Sequence, residues 1–145
     1  MTTHEQRPRF HLAFPVDDLE LAKRFYVEVL GCGLGRQSSR WIDFDFHGHQ
    51  IVAHLSERDG EASRCEVDGR EVPTFHFGLI LPWDDFWPLA ERFRQAQLSF
   101  LVEPYERFAG QPGAQLTMFI RDPSGNGLEF KAFRNEQTIF ATELG

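Results

Sequence analysis

Residues 10–18 read FHLAFPVDD, and residues 75–85 read FHFGLILPWDD. Each stretch opens on Phe-His, alternates, and closes on paired aspartates. In the first, Phe10, Leu12 and Phe14 fall on one face and His11 and Ala13 on the other, which is the period of a strand. In the second, read from Thr74 to Leu81, Phe75, Phe77 and Leu79 oppose His76, Gly78 and Ile80. Asp17 or Asp18, and later Asp84 or Asp85, are placed to cap a helix. Apolar stripes follow at helical spacing: Leu19, Ala22, Tyr26 and Val29 in the first copy, Phe86, Leu89, Ala90 and Phe93 in the second. Gly31 offers a stop for the first helix. Pro88 falls within or just past the first turn of the second, where it does least damage.

Working outward, each helix is followed by three strands. In the first copy these are Gly33–Gln37, Trp41–Phe46 and Gln50–Leu55, with Gly48 at a turn. In the second they are Ser99–Val102, Gln115–Ile120 and Leu128–Phe133, the last two joined by the turn cluster Asp122-Pro123-Ser124-Gly125-Asn126-Gly127. Between the copies, 57–71 carries six acids, three Arg and two Gly without periodicity and reads as a solvated loop. The segment 103–114, with two Pro and two Gly, reads as a second loop. The order is therefore β-α-β-β-β twice, an internal duplication. It predicts an α+β fold whose sheet, mixed or antiparallel, curves under flanking helices. Residues 1–145 form one domain in this reading, with modules at roughly 9–56 and 73–134.

Composition narrows the function classes. Fifteen Lys and Arg against 22 Asp and Glu give a net charge of -7, which argues against nucleic-acid binding. No apolar run approaches the ~20 residues that span a bilayer. Met1–Arg9 is polar and lacks the apolar core of a signal peptide, so a cytoplasmic location without membrane contact is expected. Cys32 and Cys65 are expected to be free thiols. Fifteen Phe point to a core built on aromatic packing.

His11 and His76 occupy equivalent places, each on the strand face opposite the aromatics. If the aromatic faces pack under the helices, both imidazoles look into the other side, beside the small Ala13 and Gly78. Glu129 alternates with Leu128 and Phe130 and faces away from the core as well. A carboxylate there needs a partner, and a cation shared with two imidazoles supplies one. Two His and one carboxylate with open positions form the facial triad of non-haem Fe(II) sites, and they also suit Mn, Zn or Ni. Read from the residues alone, the same three are equally ordinary hydrogen-bonded histidines and a surface carboxylate. Asp43 and Asp45, alternating with aromatics, read as a solvated strand face.

The βαβββ repeat, the His in the first strand of each module and the run Arg121-Asp122-Pro123-Ser124-Gly125-Asn126-Gly127-Leu128-Glu129-Phe130 resemble the glyoxalase / bleomycin-resistance / extradiol-dioxygenase (vicinal oxygen chelate) superfamily. The resemblance spans roughly residues 9–134. It implies two modules cupped around a divalent metal, with ligands on the first strand of each module and on the last strands. Carried over residue by residue, these are His11, His76 and Glu129. It further implies a small-molecule substrate and a homodimer. Two departures bear on the chemistry. Aligning Gly48-His49-Gln50 with Gly125-Asn126-Gly127 puts Val52 opposite Glu129, where glyoxalase-like members carry a fourth ligand. Phe119 stands where extradiol enzymes carry a Tyr, and no His follows His76, so ordinary catechol cleavage lacks its proton-transfer groups.

The expected function is a metal-dependent, dioxygenase- or lyase/isomerase-like enzyme acting on a small oxygenated substrate, with the metal as Lewis acid or O2-binding centre. His54 is the candidate base. Gln50, Tyr105, Arg107 and Lys131 are candidate substrate contacts, Tyr105 and Arg107 from a loop. The alternative is a non-catalytic binder of a bleomycin-type antibiotic, which the acidic, aromatic composition suits. A third reading is the fold alone with an empty cavity.

Overall fold

The structure is a computed structural model that describes residues 6–57 and 64–143. The chain divides into two compact units, Met1–Asp59 and Gly60–Gly145.

The first unit contains β1 (His11–Val16), α1 (Leu19–Arg24) running on into a π-helical turn (Phe25–Val29), β2 (Gly33–Gln37), β3 (Trp41–Phe46) and β4 (His49–Leu55). Its sheet has the order β1-β4-β3-β2, with β1 parallel to β4 and the other pairs antiparallel. Asp18 is the helix cap, its side chain accepting from the Leu21 N–H at 3.0 Å. The π turn closes through the Leu30 N–H on the Phe25 carbonyl. It rotates the apolar stripe, so Phe25 and Leu30 are buried beside Ala22 and Tyr26 while Leu19 and Val29 are half-buried. Tyr26 packs its ring against Phe14, Phe25 and Phe44 at 5.0–5.2 Å between centroids. His47 and Gly48, both at positive φ, join β3 to β4.

The second unit opens with a hairpin, β5 (Arg64–Val67) and β6 (Arg70–Pro73), turning at Asp68-Gly69, both at positive φ. Asp-Gly suits such a turn, so the stretch 57–71 read as loop carries a hairpin in its described part; 58–63 lie outside the described residues. Then come β7 (His76–Leu81), α2 (Trp83–Gln95), β8 (Val102–Arg107), β9 (Gln115–Arg121), β10 (Gly127–Phe133) and a 3-10 turn at Glu136–Thr138. The sheet order β7-β10-β9-β8, with β7 parallel to β10, repeats the first unit's plan. Phe86, Ala90 and Phe93 of α2 are buried, with Phe93 5.4 Å from the Phe130 ring.

Four expectations are corrected here. The strand expected at 99–102 begins instead at Val102 and runs to Arg107, so Tyr105 and Arg107 stand on a strand and not in a loop. Its register shifts between Val102 and Tyr105, which lets Pro104 sit where no ladder donor is required. Pro82, not Asp84 or Asp85, is the N-cap of α2; the aspartates lie in the first turn, near the positive end of the helix dipole. The aromatic faces of the first strands are only partly covered: Phe10 and Phe75 are more than half exposed, because β1 and β7 are edge strands and the strands enter the sheet at the following His. Asp43 is buried on β3, while its neighbour Asp45 is exposed as expected.

Candidate functional site

The two sheets pair in equivalent register. In the first, His11 lies opposite Gln50 and Ala13 opposite Val52. In the second, His76 lies opposite Gly127 and Gly78 opposite Glu129. Val52 therefore holds the place of Glu129, as the sequence alignment had it. The next strand extends the equivalence, with Asp43 opposite Val52 and Phe119 opposite Glu129.

The second unit brings His76 and Glu129 together. His76 Nδ1 lies 2.9 Å from the Pro73 carbonyl oxygen, which requires a proton on Nδ1 and leaves Nε2 to face Glu129. Nε2 is 3.4 Å from Glu129 Oε1. The other carboxylate oxygen, Oε2, accepts from the Thr117 hydroxyl at 2.6 Å. Thr117 is fully buried and the Phe119 ring packs edge-on against His76 at 5.1 Å, which holds the Glu129 carboxylate and the His76 imidazole from the side. The Glu129 side chain is 14% exposed. Burial pushes its carboxyl up, but the hydrogen bonds of His76 and Thr117 and the charge of Lys131 outweigh it, and the group is held below its ordinary value. Glu129 in turn raises His76 above its ordinary value, against the opposing effect of burial.

The chain's glycine at 78 belongs to this site for a reason that spacing does not reveal. A Cβ there would run into the backbone carbonyl of Glu129. The residue is small because β7 and β10 approach closely beside the carboxylate, more than to leave room beside the imidazole. A small cavity of about 150 Å3 opens between His76, Gly78, Ile80, Glu129 and Lys131. The Lys131 ammonium lies 5.6 Å from the Phe133 ring centroid, on the same face as Glu129.

The first unit holds the other histidine. His11 is exposed and its Nδ1 lies 2.9 Å from Gln50 Oε1, an acceptor, so Nδ1 donates there and Nε2 is the nitrogen turned away from Gln50. Gln50, expected to approach a metal or substrate, acts here as the orienting partner of His11. His54 is exposed further along the same face of β4. His49 Nδ1 accepts from the Phe10 N–H, a structural role. The buried Asp43 is the residue that sequence reading missed: alternation puts it on the face of Gln50 and Val52, and in the fold it is 7% exposed, with Gly35 of the neighbouring strand close against its Cβ. Arg36 pairs with it at 3.4 Å. A wider open cleft of about 400 Å3 runs past Asp43, Asp45, His49 and Gln50.

Tyr105 and Arg107 lie elsewhere on the second sheet, both bonded to Asp68 of the hairpin. Among the described residues no three His, Cys, Asp or Glu side chains cluster tightly enough to hold an ion by themselves. The pair His76–Glu129 nevertheless fits one. Two donors each about 2.1 Å from a common ion lie about 3.0–3.4 Å apart at octahedral or tetrahedral angles, with the imidazole's second nitrogen tied to an oxygen. The observed pair meets both conditions. Cys32 is no competitor as a ligand: burial, and then the charge of Asp45, push its thiol up to about 12. No helix among the described residues is long and apolar enough to cross a membrane.

Comparison with known proteins adds the family. The model of the Glyoxalase/Bleomycin resistance protein/Dioxygenase superfamily matches residues 10–130. The virulence protein STM3117 of Salmonella typhimurium is 30% identical over 125 residues, covering 85% of this chain and 82% of that protein. A crystal structure described as a glyoxalase/bleomycin resistance protein/dioxygenase from Alicyclobacillus acidocaldarius superposes with a TM-score of 0.79 at 35% identity, covering 95% of this chain and 100% of that one. A lactoylglutathione lyase from Agrobacterium tumefaciens shares the fold, with a TM-score of 0.65 at 20% identity over 88% of this chain and 94% of that one.

Proposed function

The chain belongs to the Glyoxalase/Bleomycin resistance protein/Dioxygenase superfamily, and from that premise we propose that it is a metal-dependent enzyme acting on a small oxygenated organic substrate. The proposed ligands are His76, Glu129 and His11. The observation that carries the reading is the His76–Glu129 pair, oriented by the Pro73 carbonyl and the Thr117 hydroxyl. Outer partners of this kind are what metal-ligating side chains have, and His11 has the same preparation through Gln50. Iron, manganese, zinc and nickel all suit imidazole and carboxylate donors.

A divalent ion held there supplies Lewis acidity towards a carbonyl or a pair of vicinal oxygens. The chain's own residues do the rest. Thr117 occupies Oε2 of Glu129 and leaves Oε1 turned towards His76. Phe119 shields one side of the pair from water. Lys131 offers a positive charge beside Glu129 for negative charge developing on the substrate. Gln50, Tyr105 and Arg107 are the further proposed substrate contacts, and His54 is the proposed base. A homodimer is part of the same proposal and is read by native mass.

The test is the metal content of the purified protein after loading with each metal, beside His11→Ala, His76→Ala and Glu129→Ala. The parent is expected to retain about one ion per chain, with each variant losing most of it. A parent that retains none sinks the reading. A second reading has its own support: the charge of -7 and the open cleft beside Asp43 and Asp45 suit a cationic, bleomycin-type ligand. A bleomycin-induced rise in melting temperature in metal-free protein, unaffected by Glu129→Ala, would favour it.

A further inference from the structure

Tyr105 and Arg107 form a clamp that already holds a carboxylate. The Tyr105 hydroxyl donates to Asp68 Oδ2 at 2.6 Å. Arg107 Nη2 donates to Oδ1 at 3.2 Å, and its Nε lies 2.7 Å from Oδ2 without aiming its N–H there. A second cation, Arg70, stacks 4.6 Å over the Tyr105 ring. Guanidinium and phenol together match the two oxygens of a carboxylate. The occupant is lightly held otherwise: Asp68 is 41% exposed at the hairpin turn, whereas Arg107 is only 21% exposed.

The clamp stands on the face that carries Glu129. Tyr105 lies opposite Thr117, and Thr117 is the residue that bonds Glu129. Two strand spacings separate β8 from β10, about 10 Å, which an organic acid with an extended carbon chain between its ends can bridge. Opposite Arg107 lies Gln115, 8% exposed, whose Oε1 has no hydrogen-bond partner among the described residues. A buried acceptor left unspent beside a carboxylate clamp is suited to read a donor on the same ligand.

We infer that Tyr105, Arg107 and Gln115 form a subsite for a carboxylate bearing a neighbouring hydroxyl, and that Asp68 is the chain's own stand-in for that acid. The inference rests on the proposed function only in taking the Glu129 face as the substrate face. It makes the substrate an oxygenated carboxylic acid. Binding displaces the Asp68 carboxylate and moves the hairpin tip aside.

The experiment titrates propionate, lactate and the neutral control propionamide into metal-free protein, followed by NMR shifts of the β8 and β9 amides. In Asp68→Ala the tethered competitor is gone, so propionate is expected to bind on the order of tenfold more tightly than to the parent. Lactate is expected to bind more tightly still, and Gln115→Leu to remove that difference. Adding Arg107→Met to Asp68→Ala abolishes binding. Asp68→Asn, which keeps the side-chain shape, serves if Asp68→Ala does not fold. If neither variant prefers propionate over propionamide, Asp68 is only a latch on the hairpin and the inference falls. Metal plays no part in the titration, so this failure is distinct from failure of the metal assay.

Discussion

The two units share one strand order and one register, and they differ in what the equivalent positions hold. The second has Glu129 on its central strand, with Phe119 beside it and Thr117 bonding it. The first has Val52 at the centre, 6% exposed, and its carboxylate, Asp43, displaced to the neighbouring strand. His76 is tied by a main-chain carbonyl and is part-buried; His11 is tied by a side chain and is exposed. The duplicated sheet supplies a histidine to each unit, but among the described residues the carboxylate paired with such an imidazole is Glu129 of the second. The fold is thus indifferent to the chemistry that its face carries.

The sharpest way to break the contrast is Glu129→Val, which gives the second unit the first unit's residue. Metal affinity is expected to fall by more than about 100-fold, the cost of losing a ligand outright rather than an outer partner. Gly78→Ala makes the corresponding exchange on the edge strand. It drives a methyl group into the Glu129 carbonyl and is expected to cost about 1–3 kcal/mol in denaturant unfolding. Its mirror, Ala13→Gly, costs no more than about 1 kcal/mol. If the two cost the same, the close approach at Gly78 is not what holds the strands.

Thr117→Val removes only the hydroxyl on Glu129 Oε2 and is expected to weaken metal binding by about 10-fold, without changing the number of ions bound at saturation. Gln50→Ala does the same to His11 with a smaller effect, because a solvent molecule replaces the amide at an exposed ring. Calorimetric titration reads both.

The smallest effect is on pH dependence. His76 is raised above 6.5, so its contribution to stability is complete below that value and is lost as pH rises through the raised pKa. Glu129 is lowered below 4.5, so its contribution is complete above that value and is lost as pH falls through the lowered pKa. The stability difference between metal-free parent and Glu129→Gln should therefore be widest between about pH 4.5 and 6.5 and narrow on both sides, by no more than about 1 kcal/mol for a partly exposed pair. A difference that is flat across pH 4–9 would show that the two groups do not pair.

Much of this was legible in the sequence. The Phe-His repeat, the Asp18 cap and the alternation around Glu129 are local patterns, and they led to the two modules and to the faces of His11, His76 and Glu129. The alignment that set Val52 against Glu129 needed only the turn glycines. What escaped depends on contacts between distant segments. The hairpin at 64–73 is too short and too charged to show a period. Tyr105 reads as loop because Pro104 precedes it, and the register shift that accommodates the proline is a property of the pairing with β9. The surroundings of Asp43, with Gly35 close against its Cβ, and the roles of Thr117 and the Pro73 carbonyl depend on strands that meet only in the folded sheet. The Asp-Gly pair at 68–69 was the one signal that would have revealed the hairpin.

The central claim is that His76 presents Nε2, held by Pro73 behind and Glu129 in front, to a divalent ion. Long-range 1H–15N NMR of the imidazoles during addition of zinc to metal-free protein tests it directly. The Nε2 resonance of His76 is expected to move to the metal-bound range while Nδ1 keeps its proton, and Glu129→Val is expected to abolish the change. An unchanged His76 ring at saturating zinc, or a change that survives Glu129→Val, would contradict it.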